Sequence, residues 1–276
     1  MRATNATALR RSVWRVPLAI YCAAVLAYLV VPIVAVMPLS FSSDSFLQYP
    51  IPGWSSRWYV DFFTSPQWVP ALRNSLMVGI ATTFLATPLG TLAAIGVVRL
   101  GPRLRPLILS ILIAPLVVPG IVAAIGMYFA FAPLGLTNSY VGLVLAHTAV
   151  ATPFVVIVVA AALEGFDPNL IRAGLSLGAG PMTVYFRIVL PLIGPAVAAG
   201  AIFAFATSFD EVIISLFIAG PTQRTLPLQM FDGVREQISP TITAAATLVI
   251  ALSMALLGGA EYLRRRTYLR VLNAQD

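Results

Sequence analysis

The sequence predicts an all-α membrane protein with six transmembrane helices and cytoplasmic termini. Three observations carry that expectation. Of 276 residues, 59% are hydrophobic and only 10% are charged, whereas a soluble globular domain carries about 25% charged residues. The apolar residues gather into six runs, each near the roughly 20 residues a helix needs to cross a bilayer. All 17 basic residues are arginine, and they divide unevenly between the connections.

Taken in order, a tail at 1–15 precedes the first run, 16–39. That run is too long for a signal-peptide core and lacks a small-residue cleavage site, so it reads as a retained anchor. The connection 40–70 is rich in aromatics (Trp54, Trp58, Tyr59, Phe62, Phe63, Trp68), which suit an interfacial belt on a short helix lying flat. The second run is 71–98 and the third 106–131. The third contains Pro115, Pro119 and Gly120, which read either as a bend at a gate or as an ordinary helix bend. The fourth run is 140–163, the fifth 196–219 and the sixth 241–263, with a tail at 264–276. Prolines inside the runs (Pro32, Pro88, Pro153) free carbonyls that neighbouring helices or water must satisfy. Gly79, Gly90, Gly96, Gly142 and Gly200 read as sites of close helix packing.

An even number of spans puts both tails on one side. That side, with the 99–105 connection and the segment between the fourth and fifth runs, holds thirteen arginines. The other holds four: Arg57, Arg73, Arg224 and Arg235. Positive charge is retained in the cytoplasm, so the tails face the cytoplasm and the 40–70 and 220–240 loops face outward. The net charge of +7 does not imply a nucleic-acid partner, because the arginines sit at span ends without an interleaved aromatic platform. Cys22 is the single cysteine, so no internal disulfide forms. No phosphate-binding P-loop occurs, so any energy comes from a gradient or from another subunit.

The segment 164–195, EGFDPNLIRAGLSLGAGPMTVYFRIVLPLIGP, is a polar island between two apolar runs. Asp167-Pro168 predicts a helix start and 170–177 its body. Gly178-Ala179-Gly180-Pro181 predicts a break, and a second helix over 182–190 is expected to stop at Pro191. A short helix held between two spans is a handle for another protein.

Asp210 and Glu211 fall inside the fifth run, where each charge costs at least about 2.5 kcal/mol on insertion scales. Such acids mark a substrate path or a proton relay. On one helix, neighbours diverge by about 100°, so one acid faces a path while the other pairs structurally. Ser208, Thr207 and Ser215 add hydroxyls nearby. The alternative is that the span sits nearer its outer end, with the acids meeting water or Arg224. His147, the only histidine, reads as packing or an interhelical hydrogen bond before path lining. No His/Cys/Asp/Glu cluster suggests a metal, and neither a Ser–His pair nor an H-E-x-x-H helix suggests an intramembrane protease.

The island resembles the cytoplasmic loop of the membrane-spanning permease subunits of binding-protein-dependent ABC importers. That loop reads E-A-A, three residues, G, and later I-x-L-P. Here Arg172-Ala173-Gly174 stands at E-A-A, Leu175-Ser176-Leu177 follows, then Gly178-Ala179, and Phe186 with Ile188-Val189-Leu190-Pro191 completes the pattern. Arg172 reverses the motif's acidic charge, and Gly174 costs about 1 kcal/mol of helix propensity relative to Ala. Trp58-Tyr59, Phe62-Phe63 and Ala71-Leu-Arg-Asn-Ser-Leu76 also resemble these permeases. SFDEVIISLFIAGP and the residues after it are similar to the PotC-like, spermidine/putrescine branch.

The resemblance implies a type I ABC importer permease fold and an ATPase-coupling loop built on Asp167, Arg172, Ala173, Gly174, Leu177, Gly178, Ala179, Phe186, Leu190 and Pro191. It implies a translocation path with Asp210 on it, and with Glu211 and Ser208 beside it. The expected partners are an ATP-binding subunit pair, a second and different permease subunit, and an extracytoplasmic solute-binding protein. ATP hydrolysis then belongs to a separate subunit, the chain itself binds no cofactor, and it is not an enzyme. A polyamine or a related cationic or amino-acid-like solute is the expected cargo. The rival reading is a secondary transporter using Asp210 or Glu211 as a proton relay, which requires inverted repeats.

Overall fold

The computed structural model describes residues 3–236 and 239–272. Among them every regular element is a helix, and one isolated bridge pairs Ser42 with Trp54. It divides into two compact units, one of residues 1–63 and 236–249, the other of 64–235 and 250–276.

The first unit carries helix α1 (Ala3–Leu39), most of α2 (Arg57–Thr64) and the start of α12 (Pro240–Leu272). From Val16 to Ala35 every side chain of α1 is exposed. A helix apolar on all sides is built for lipid or for burial in a larger assembly. The aromatic connection behind it is folded. Trp58 Nε1 donates to the Ser42 carbonyl at 2.8 Å, Ser40 Oγ and Tyr59 OH share a hydrogen bond of 2.8 Å, and the Arg57 guanidinium lies 4.1 Å from the Trp58 ring centroid. The short helix expected in this loop is therefore present.

The second unit is organised around α3 (Trp68–Val98), α6 (Tyr140–Glu164) and α9 (Leu190–Phe209). Ala86 and Ala94 of α3, Ala151, Val155 and Val159 of α6, and Ile193 and Ala204 of α9 form one buried cluster. Small residues permit the approach. A Cβ on Gly90 would lie 2.6 Å from Val155 Cβ, and one on Gly200 would lie 3.2 Å from Val155 Cγ1, so both helices close on the same valine. In the absence of a hydrophobic drive between helices in lipid, such close packing supplies much of the association.

Among the described residues, four helical segments are long and apolar enough to cross a membrane: Val16–Leu39, Trp68–Val98, Tyr140–Glu164 and Pro181–Phe209. Three of the expected spans differ from their sequence bounds. The third, expected at 106–131, is a bent pair. Helix α4 (Leu104–Val117) and helix α5 (Gly120–Phe131) meet at 99°. Pro119 forces the residue before it out of the helical region, and Val118 is extended at φ −69°, ψ 129°. The bend lays α5 against α10 (Ile213–Ile218), where Ala124 packs with Ile214 and Ile218.

The fifth span, expected at 196–219, begins at Pro181 and ends at Phe209. Pro191 does not end the second helix of the island. The turn Tyr185–Val189 widens into a π-helix, with Leu190 N bonding the Tyr185 carbonyl. The wider turn makes room for a proline ring that would otherwise strike the carbonyl four residues back, and α9 continues through Pro191. The expected sixth span, 241–263, falls on α12, where the apolar stretch among the described residues is Pro240–Leu256.

Candidate functional site: a docking loop and a broken helix

The island folds as a helix, a turn and a second helix. Asp167 Oδ1 accepts a hydrogen bond from Asn169 N at 2.9 Å, and Pro168 sits at φ −64° as the cap of α7 (Asn169–Ser176). These are the start signals that the sequence suggested, displaced by one residue. At the other end Gly178 adopts φ +85°, a left-handed conformation that glycine adopts without penalty. The Gly178 and Ala179 amides bond the Leu175 and Gly174 carbonyls at 3.0 and 3.2 Å.

Gly174 has a packing reason. A Cβ there would lie 2.9 Å from Ile188 Cδ1 and 3.0 Å from Val184 Cγ2, so its absence seats α7 on the π-turn. Phe166, Ile171 and Tyr185 pack against the same cluster that joins α3, α6 and α9. The loop is thus continuous with the transmembrane core. Its outer face is apolar: Leu177 is 88%, Met182 71% and Phe186 64% exposed. Arg172 and Ala173 share the exposed surface, and Arg172 Nη1 reaches Asn169 Oδ1 at 3.4 Å. Leu190 and Pro191 are also exposed.

Two arginines, Arg99 at the end of α3 and Arg105 in the first turn of α4, bind this loop. Arg99 lies over the Tyr185 ring, 4.6 Å from its centroid, and hydrogen-bonds the Tyr185 hydroxyl. Arg105 pairs with Glu164 at the end of α6. Both pairs flank a cleft of about 630 Å³ walled also by Ile95, Leu163 and Ile171. From sequence these arginines read as topology signals, because Tyr185 lies 86 and Glu164 59 positions away.

The second region is the end of α9. Asp210 and Glu211 do not lie on a continuous helix, as the apolar run suggested. The helix stops at Phe209, and α10 starts at Ile213. Asp210 is exposed and forms no ion pair among the described residues. Arg224 is unavailable to it, being paired with Asp232 at 3.1 Å. Glu211 caps α10, its Oε1 accepting from Ile214 N at 3.0 Å. Ser208 is buried, and its hydroxyl meets His147 Nδ1 at 2.8 Å, while Nε2 of the same ring meets Ser215 Oγ at 3.2 Å. His147 therefore makes the interhelical hydrogen bonds expected of it, and Ser208 faces the histidine rather than open space.

At the opposite end of α3, Asn74 Nδ2 donates to the Thr222 and Arg224 carbonyls, both at 2.9 Å. Tyr140 OH donates to Asn74 Oδ1 at 2.9 Å. Leu226 N donates to Ser75 Oγ at 2.7 Å, fixing the loop ahead of α11 (Leu226–Glu236). Asn74 and Ser75 lie in the 71–76 stretch that carries part of the resemblance, but their role as an anchor has no local signal, because the partners lie about 150 positions apart. Among the described residues no group of His, Cys, Asp and Glu is arranged to hold a metal.

The profile of one protein family, described as "Binding-protein-dependent transport system inner membrane component", matches residues 86–267. The chain belongs to that family. Within it, the chain is 32% identical over 246 residues to the spermidine/putrescine transport system permease protein PotC of Escherichia coli strain K12, covering 89% of this chain and 92% of that protein. It is also 32% identical over 248 residues to the putrescine transport system permease protein PotI of the same strain, covering 87% and 86%. In fold it is similar to a chain of a bacterial ABC transporter that imports the acidic polysaccharide alginate, with a TM-score of 0.72, 17% identity, and 93% and 96% coverage.

As a member of this inner-membrane family the chain is an integral membrane protein. It is a permease subunit of an ATP-driven, binding-protein-dependent importer and not an enzyme. The secondary-transporter alternative is set aside on that ground. The fold expected from the island, an ABC importer permease, is the fold observed.

Proposed function

We propose that this chain is one of two different permease subunits in an importer of a polyamine such as spermidine or putrescine. In this reading it crosses the membrane six times, through α1, α3, the bent pair α4 and α5, α6, the helix ending at Phe209, and α12. Both tails and the island are then cytoplasmic, a placement supported by the excess of arginine on that side. A pair of ATP-binding subunits grips the island, an extracytoplasmic solute-binding protein delivers the cargo, and this chain binds no cofactor itself.

The observation that carries the reading is the exposed apolar face of Leu177, Met182 and Phe186. Large apolar side chains clustered on an exposed turn mark a surface that a partner covers. Asp167 and Gly178 shape that surface, Gly174 seats it on the core, and Arg172, Ala173, Ala179, Leu190 and Pro191 border it. Movement of α7 then reaches α6 and α9 through Phe166, Ile171 and Tyr185. Polyamine as cargo is supported by the names of the two relatives and by the exposed carboxylate of Asp210, which attracts a cation wherever water is sparse. Glu211 and Ser208 serve the path by holding the backbone beside Asp210.

The test is reconstitution of the chain with its second permease, ATPase and binding protein in liposomes. Labelled spermidine should accumulate only with ATP and all subunits present. Accumulation that persists without the ATPase sinks the reading. ATP hydrolysis stimulated by a loaded binding protein, without spermidine uptake, would instead revise the cargo.

A further inference from the structure

One side chain from another helix ties the two sides of the break between α9 and α10 together. His147 is 1% exposed and comes from α6. Its partners, Ser208 and Ser215, lie on either side of the break at Asp210-Glu211-Val212. The hydrogen-bond inventory accommodates one directed arrangement of protons. With the Ser215 Oγ proton on the Glu211 carbonyl at 3.1 Å, Ser215 accepts from His147, an arrangement that puts the ring proton on Nε2. Nδ1 is then the acceptor and takes the Ser208 hydroxyl proton. The result is a directed chain: Ser208 O–H to Nδ1, Nε2–H to Ser215 Oγ, and Ser215 O–H to the Glu211 carbonyl.

The chain satisfies a carbonyl that the interrupted helix leaves free, in the way that irregular backbone at membrane depth is tolerated only where protein satisfies it. It also fixes the distance between the last turn of α9 and the first of α10. Asp210 lies between those two pinned points. Glu211, the other acid, is turned inward as the α10 cap. One acid is thereby held in the structure and the other left exposed.

We infer that His147 is a positioning residue for solute passage, pinning Ser208 and Ser215 so that the helix stays broken and the Asp210 carboxylate is presented to a cationic solute. This rests on the polyamine-importer reading above. The histidine touches no solute and acts only through Asp210.

The experiment uses the complete assembly in liposomes with spermidine as probe. Ser215→Ala removes one hydroxyl without adding bulk, and uptake at saturating loaded binding protein should fall about tenfold, the scale of one buried partner lost. ATP hydrolysis stimulated by that binding protein should stay within about twofold, because the island is untouched. His147→Phe removes both bonds and should lower uptake further, and His147→Gln, which keeps a donor and an acceptor, should recover part of the loss. The decisive readout is coupling: in an Asp210→Asn background, Ser215→Ala should have no further effect. Unchanged uptake in Ser215→Ala, or losses that multiply with that of Asp210→Asn, overturns the inference. The two failures separate. An unmodified assembly that takes up no spermidine overturns the polyamine reading and this inference with it, whereas multiplying losses in an active assembly overturn the inference alone.

Discussion

The island at 164–195 and the break at Asp210 are both interruptions of long apolar helices, yet they are stabilised in opposite ways. The island is closed by local signals: Asp167 and Pro168 at one end of α7, and Gly178 at φ +85° at the other. It leaves its large apolar side chains outside. The break is closed by a distant signal, since His147 is more than 60 positions from Ser208 and Ser215. The hydroxyls of Ser208 and Ser215 are inside, and a carboxylate is left out. An interruption that exposes apolar groups is built to meet a protein. One that exposes a charge in an apolar setting is built to meet a polar solute.

The largest test of that contrast is Gly178→Pro. Proline fixes φ near −65° and has no N–H, so it fits neither the +85° backbone nor the bond from Gly178 N to the Leu175 carbonyl. The cost of about 3 kcal/mol or more falls on the docking face, and uptake should drop about a hundredfold or more while membrane insertion is retained. Uptake close to that of the unmodified chain would remove the island from the coupling route.

Asp210→Asn should act on the other region. It removes the charge but not the shape, and spermidine uptake should fall about tenfold with binding-protein-stimulated ATP hydrolysis kept. A neutral result would make the exposed carboxylate a bystander. The two variants together separate a lesion in drive from a lesion in passage.

These regions also differ in how far the sequence discloses them. The helix, glycine turn and helix of the island are written in residues within a dozen positions of each other, and α7 starts and ends within one position of its expected bounds. The end of α9 is not visible that way. The acids Asp210 and Glu211 mark a polar point in the apolar run, but the run resumes at Val212 and nothing in the sequence says that the helix stops there. Pro191 misleads for a related reason. Read alone it stops a helix, but the π-turn ahead of it is a backbone adjustment with no composition of its own. Pro119 was legible because its effect falls on the adjacent residue, Val118.

A medium effect is expected where Arg105, in the first turn of α4, meets the island. Arg105 and Glu164 are partly exposed, and exposed pairs contribute about 0–1 kcal/mol. Arg105→Glu or Glu164→Arg alone places like charges together and should slow uptake roughly two- to fivefold. The double exchange should restore it. Recovery would show that the connection moves with the island; equal losses in all three variants would assign the arginine to topology alone.

The smallest effect is expected at Gly174→Ala, which puts the second alanine of the E-A-A pattern that the island resembles at this position. Alanine improves helix propensity by about 1 kcal/mol. Against that, the new methyl would press on Ile188 Cδ1 at 2.9 Å and Val184 Cγ2 at 3.0 Å. Ile188 can turn its terminal methyl aside, but Val184 is branched at Cβ and has fewer rotamers to use. The two terms oppose each other at similar size, so uptake and thermal stability of the assembly should change by less than about twofold and a few degrees. A large loss would mean that α7 is seated on Val184 without slack, so that movement of the docking helix must pass directly into the π-turn and α9. A clear gain would mean the reverse: that the loop has room to slide on its seat, and that the Arg99 and Arg105 contacts, not the Gly174 packing, carry its movement to the membrane helices.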